Sequence, residues 1–184
     1  SSASYEHPEE ILRDADAALQ RAKALGRGRY AVFSNTMRDD VLAHLELAKD
    51  LRLALERNEL VLHFQPIVRL QDGEIHGFEA LVHWKHPRRG LVLPSEFISF
   101  AEETGLILPL GNWVLHEACR QLREWQDRFP RKRHLSVSVN ISSKQFSQMD
   151  LVKLVKQALD ASNLEHQSLR LEITESVIME QSES

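Results

Sequence analysis

The chain has 184 residues, 42% of them hydrophobic and 27% charged, with few Gly or Pro, a composition suited to one good core or one core plus an appendage. Its formal net charge of −4 argues against a broad electrostatic grip on a nucleic-acid polymer, and the short basic clusters Arg88-Arg89 and Arg131-Lys132-Arg133 read as solvated loop charge. No apolar run approaches the roughly 20 residues that span a bilayer and no signal peptide opens the chain, so the reading is cytoplasmic, with any membrane anchor of a parent protein lying outside this sequence.

The first element is a helix that starts at Pro8 to Glu10, repeats Ile11, Leu12, Ala15, Ala18, Leu19, Ala22 and Leu25 on one face, and ends at Gly26 and Gly28. Tyr30-Ala31-Val32-Phe33 reads as a short strand. One helix and one strand cannot close a core, so this piece belongs to something larger. Ser34-Asn35-Thr36 offers a cap for a second helix over about 37–57, a connecting helix by its dense charge and partial leucine stripe, with dimerisation as the alternative.

From Glu59 onward strands alternate with helices, which favours a βαβ architecture. Strands are expected at 60–68, 75–84, 135–142 and 169–174, and helices at about 95–104, 111–128 and 143–161. Asp72-Gly73 between the first two strands signals a hairpin, making that pair antiparallel and the others parallel. The single Cys119 lies in a helical pattern and reads as a buried core thiol in a reducing compartment.

Three strands carry the chemistry. Phe78, Ala80, Val82 and Trp84 alternate with Glu79, Leu81 and His83; Leu135, Val137, Val139 and Ile141 with Ser136, Ser138, Asn140 and Ser142; Leu169, Leu171 and Ile173 with Arg170, Glu172 and Thr174. The apolar sets face outer helices, and the opposite faces bring Glu79, Asn140 and Glu172 toward C-terminal strand ends, where a (β/α) barrel builds its sites. Two carboxylates and an amide oxygen are hard donors that suit Mg²⁺ or Mn²⁺; the alternative is that they satisfy one another, or water, inside a small barrel.

Around Phe78-Glu79-Ala80-Leu81-Val82-His83-Trp84 stand Phe64-Gln65-Pro66-Ile67-Val68, Pro94-Ser95-Glu96-Phe97-Ile98, Ala101-Glu102-Glu103-Thr104-Gly105-Leu106-Ile107, Val139-Asn140-Ile141-Ser142 and Leu171-Glu172-Ile173-Thr174-Glu175. In this order, over residues 59–184, the blocks resemble the N-terminal half of an EAL domain. The resemblance implies an α/β fold, a partial (β/α) barrel, from a bacterial signalling protein that hydrolyses cyclic di-GMP to pGpG with Mg²⁺ or Mn²⁺. It implies metal ligation by Glu79, Asn140 and Glu172, catalytic roles for Glu79 and for Glu175 (which steadies a loop linked to substrate and metal), and substrate contacts from Gln65, Leu81, His83 and Pro94. Asp14-Ala15-Asp16-Ala17-Ala18-Leu19 with Ala22-Lys23 and Gly26-Arg27 resembles the last helix of a GGDEF domain, so that residues 1–35 are its tail and 36–58 the linker helix.

Two departures bear on activity. His83 stands where active members carry Arg, and an imidazole offers fewer donors than a guanidinium and is largely neutral near pH 7. Pairing His83 with His86 as a zinc site is disfavoured by their strand-to-loop location. The sequence also stops at Ser184, ahead of the family's later acidic loop, so the chain alone is expected to be inactive. Alternatives are a degenerate EAL domain acting as a cyclic-di-GMP receptor, or a structural piece that homodimerises.

Overall fold

The computed structural model describes residues 7–24, 30–130, 135–147 and 150–173. The chain divides into two compact units, residues 1–50 and 51–184. In the first, helix α1 spans Pro8–Ala24 and helix α2, Asn35–Glu56, begins; the end of α2 belongs to the second unit. One expectation fails here. Residues 30–34 form no strand, because aromatic and β-branched propensity needs a partner strand to express itself. On α1, Ile11, Leu12 and Leu19 are half-exposed or more, while Ala22 and Asp14 are buried. Leu25, Gly26 and Gly28 lie outside the described residues.

The second unit is a mixed sheet with helices on its outer face. β1 (Leu60–Val68) pairs antiparallel with β2 (Ile75–His86), which also pairs antiparallel with β3 (Gly90–Val92) and parallel with β4 (Ser136–Ile141); β4 pairs parallel with β5 (Leu169–Ile173). The main order is therefore β1-β2-β4-β5. As expected, the hairpin contains Asp72-Gly73: Gly73 takes φ 72°, where a side chain would be strained, and Asp72 Oδ1 accepts from the Glu74 amide at 3.0 Å. Pro66, which has no N–H to donate, sits in β1 at the edge of the sheet.

Helix α3 (Pro94–Thr104) opens on a proline, whose missing N–H costs nothing in a first turn, and closes at Gly105 with φ 78°. Helix α4 spans Ile107–Arg128, starting four residues before the expected Gly111, because Pro109 falls within its first turn and does not break it. The expected single helix over 143–161 is two: α5 (Ser143–Phe146) and α6 (Leu151–Ser162). Ser142 caps α5, its hydroxyl accepting from the Gln145 amide at 3.3 Å while Gln145 Oε1 accepts from the Ser142 amide at 3.2 Å.

The core lies between α4 and α6 on one side and the outward faces of β2 and β4 on the other. It contains Ala80, Val137, Val139 and Ile141 from the strands with Leu115, Ala118, Cys119 and Leu122 from α4. Each such aliphatic side chain contributes about 1.5–3 kcal/mol on full burial. Trp125 meets Phe64 edge-on at 4.7 Å and Phe78 at 4.8 Å, fastening α4 to the first hairpin. Buried Gln126 donates to the Leu135 carbonyl at 3.2 Å, so the same helix holds the start of β4. Cys119 is buried as expected; burial pushes its thiol up to about 11, a hydrogen bond with Ser162 offsetting part of the rise.

Candidate functional site

The face of the sheet opposite this core carries the polar alternation. The registers place Gln65 opposite Glu79, Glu79 opposite Ser138, and Asn140 opposite Glu172. Adjacent strands lie about 4.8 Å apart, so these side chains form a line across four neighbouring strands. Asn140 Nδ2 donates to Glu79 Oε1 at 2.7 Å, bridging residues 61 apart in sequence. That bond orients the carboxylate and leaves Glu79 Oε2 and the Asn140 carbonyl oxygen for a ligand. Glu79 is half-buried, while Gln65, Asn140 and Glu172 are exposed.

The donor set is two carboxylates with an amide between them. This chemistry fits a hard divalent cation such as Mg²⁺ or Mn²⁺ and does not fit a soft metal. Among the described residues no three His, Cys, Asp or Glu side chains converge on one point. Glu175 lies outside the described residues.

Beside this line a cavity of about 210 Å³ opens between β2, β4, α3 and α4. Leu81 and Pro94, both expected to touch substrate, line it together with Asn140, Glu102 and Gly111. Its walls are mainly apolar, which suits the flat face of a base or other planar group rather than a charge. Gly111 makes room for Gln145, and Lys144 Nζ donates to the Glu102 carbonyl, tying α5 to α3 at the cavity rim.

His83 sits near the end of β2, half-buried. Its Nδ1 lies 2.9 Å from the Leu81 carbonyl oxygen, and its ring stacks on His63 of β1 with centroids 4.1 Å apart and planes 26° from parallel. His86 faces the core side, buried, its Nδ1 accepting from the Arg88 amide at 3.1 Å. The two histidines thus diverge, in line with the argument against a zinc pair. His63 was not singled out from sequence, although its place two residues before Gln65 puts it on the same strand face.

The fold and this face define a class: an α/β sheet domain of EAL type, with polar residues gathered where the parallel pairing of β2 and β4 ends. A family model for the EAL domain matches residues 48–184, and the chain belongs to that family. It is 45% identical over 170 residues to the bifunctional diguanylate cyclase/cyclic di-GMP phosphodiesterase MucR of Pseudomonas aeruginosa, covering 92% of this chain and 24% of that protein. It is 43% identical over 173 residues to the cyclic di-GMP phosphodiesterase PdeR of Escherichia coli, covering 94% of this chain and 26% of that one. The structure of the PaMucR phosphodiesterase in complex with c-di-GMP superposes with a TM-score of 0.70 at 46% identity, over 75% of this chain and 55% of that one. The chain therefore spans about a quarter of the length of these two curated relatives. No described helix is long and apolar enough to cross a membrane.

Proposed function

We propose that this chain supplies the front of a phosphodiesterase site that hydrolyses cyclic di-GMP to pGpG within a longer signalling protein. The observation that carries the reading is the Glu79–Asn140 hydrogen bond with Glu172 in register beside it, an oriented hard-oxygen set on the face where the family's strands end. Glu79, Asn140 and Glu172 would hold Mg²⁺ or Mn²⁺, which when bound polarises a phosphoryl oxygen and lowers the pKa of a coordinated water. The chain's own residues orient: Asn140 fixes the Glu79 carboxylate, Gln65 stands opposite Glu79, and Leu81 and Pro94 offer apolar walls for a guanine. Glu175 is read as steadying the loop next to the metal. The complex of the PaMucR phosphodiesterase with c-di-GMP supports the ligand.

The match to a bifunctional cyclase/phosphodiesterase over 92% of the chain supports reading residues 1–35 as the tail of a GGDEF domain and 36–58 as the linker helix. A cytoplasmic address and homodimerisation through the EAL unit or the linker helix belong to the same reading. The test is hydrolysis by the full-length protein with Mg²⁺ or Mn²⁺, followed by chromatography of pGpG. Glu79→Gln and Glu172→Gln should each lose about 100-fold or more, beyond the 10–100-fold typical of an outer partner of a metal ligand. Undiminished turnover in both variants would remove the proposed ligand set. Because His83 replaces a guanidinium, a receptor that binds without turnover is the second reading, and tight binding with no pGpG would select it.

A further inference from the structure

We infer that Arg170, tethered by His76, sets how tightly Glu79, Asn140 and Glu172 hold their divalent cation, acting through charge without touching the ion; this rests on the metal-binding reading above. Alternation along β5 puts Arg170 on the face that carries Glu172, which lies two residues, or about 6.6 Å, further along the strand. In register Arg170 lies opposite Ser138, and Ser138 opposite Glu79, so one row of the sheet holds a carboxylate and a guanidinium two strands apart. Among the described residues Arg170 has no carboxylate within ion-pair distance. Its Nη2 instead reaches across β4 to His76 Nε2, 3.2 Å away and 94 residues distant in sequence. A guanidinium only donates, so Nε2 accepts and the hydrogen of the neutral His76 ring is on Nδ1.

His76 stands near the start of β2, three residues before Glu79, so the tethered charge rests roughly 10 Å below that carboxylate, toward the opposite end of the strands. The ground between them is neutral. Ser136 and Ser138 are 3% and 1% exposed, and their hydroxyls, like His76 Nδ1, have no hydrogen-bond partner among the described residues. No counter-charge there cancels the guanidinium, and its field extends to the carboxylates. A unit charge at about 10 Å weakens the binding of a divalent ion roughly fourfold in a water-like dielectric, and more where the face is covered. The tether limits this effect. Once released, the guanidinium can swing to Glu172 on its own strand face and compete with the cation for that carboxylate directly. His76 therefore keeps the opposition at long range and moderate.

The experiment is titration of Mn²⁺ alone into the full-length protein, with the free ion counted by electron paramagnetic resonance. Sites that vanish in Glu79→Gln are assigned to this group. At about 10 mM salt, where the Debye length is about 30 Å, Arg170→Gln should tighten Mn²⁺ by about threefold to tenfold. Arg170→Lys, which keeps the charge, should stay within about twofold of the wild type. At about 1 M salt, where that length is about 3 Å, the gain in Arg170→Gln should fall below about twofold. His76→Leu should weaken Mn²⁺ by about threefold or more on its own and have no effect in an Arg170→Gln background. A merely structural role for Arg170 predicts loss of affinity rather than gain, and no response to salt. Unchanged or weaker Mn²⁺ binding in Arg170→Gln, a gain that survives 1 M salt, or a His76→Leu effect that persists without Arg170 overturns the inference and leaves the ligand set standing. If the wild type has no Mn²⁺ site that Glu79→Gln removes, the metal reading and the inference fall together.

Discussion

Replacing Gly111 by alanine tests whether the cavity wall and the cap of α5 depend on one missing methyl group. A Cβ at Gly111 would fall 1.8 Å from Gln145 Nε2, 2.5 Å from its Cδ and 3.0 Å from its Oε1, so the Gln145 side chain has to leave. The adjacent cavity of about 210 Å³ can receive it, and relief therefore comes by rotation rather than by backbone movement. In leaving, Gln145 Oε1 gives up the Ser142 amide and hydroxyl, both at 3.2 Å. Two such bonds are worth about 1–3 kcal/mol, and exposing an unpaired amide adds to the loss. Against this, alanine is a better helix residue than glycine by about 0.8–1.0 kcal/mol. The net expectation is a loss of about 1–2 kcal/mol. Urea unfolding followed by tryptophan fluorescence reads it, since Trp84, Trp113 and Trp125 all lie in the second unit. In a Gln145→Ala background the clash has no object, and Gly111→Ala should then stabilise by up to about 1 kcal/mol. The reasoning is refuted if the substitution has the same effect in both backgrounds, or stabilises the wild type.

Three further expectations concern the core. Gly77→Ala places a Cβ 2.7 Å from both the Ser136 backbone oxygen and its Oγ, and a main-chain atom cannot rotate away; overpacking of this kind costs about 1–3 kcal/mol, measurable as a lower urea midpoint, and an unchanged midpoint would contradict the close approach. Cys119, its thiol pushed up to about 11 chiefly by burial, should resist a thiol reagent near pH 8 in the native protein and react once unfolded. Since the folded value is raised, the stability tied to it is complete below the ordinary value of 9.0 and falls as pH rises toward 11, so a Cys119→Ala variant should show a shallower alkaline loss in thermal melts.

Where one face of a strand is buried, the sequence was sufficient. Phe78, Ala80 and Val82 alternate with Glu79, Leu81 and His83 because one side meets α4, and the same alternation in β4 puts Asn140 on the face with Glu79. Local reading failed where the deciding partner is remote. Gly90-Leu91-Val92 is too short to show a period, and becomes a strand only because β2 extends to His86 beside it. Tyr30 to Phe33 has strand propensity and pairs with no strand among the described residues. The division between α5 and α6 is not legible from the capping box of Ser142 and Gln145, which starts the first piece; that piece ends at Ser147, whose amide turns back to the Gln145 and Ser143 carbonyls. The His63–His83 stack follows from a cross-strand register, which neither strand alone discloses. Glu175 and Thr174 lie outside the described residues.

The close approach of Gly77 to Ser136 has a genetic consequence. Parallel strands transmit register along their length, and Gly77 lies opposite Ser136 just as Glu79 lies opposite Ser138 and so, two residues on, sets where Asn140 meets Glu79. A random-mutagenesis screen for the proposed phosphodiesterase activity would therefore rank Gly77 beside the carboxylates, although it has no side chain to contribute to chemistry. Variants that lose Glu79 or Glu172 would forfeit the proposed hydrolysis and keep the fold, whereas the fold itself holds this position to glycine.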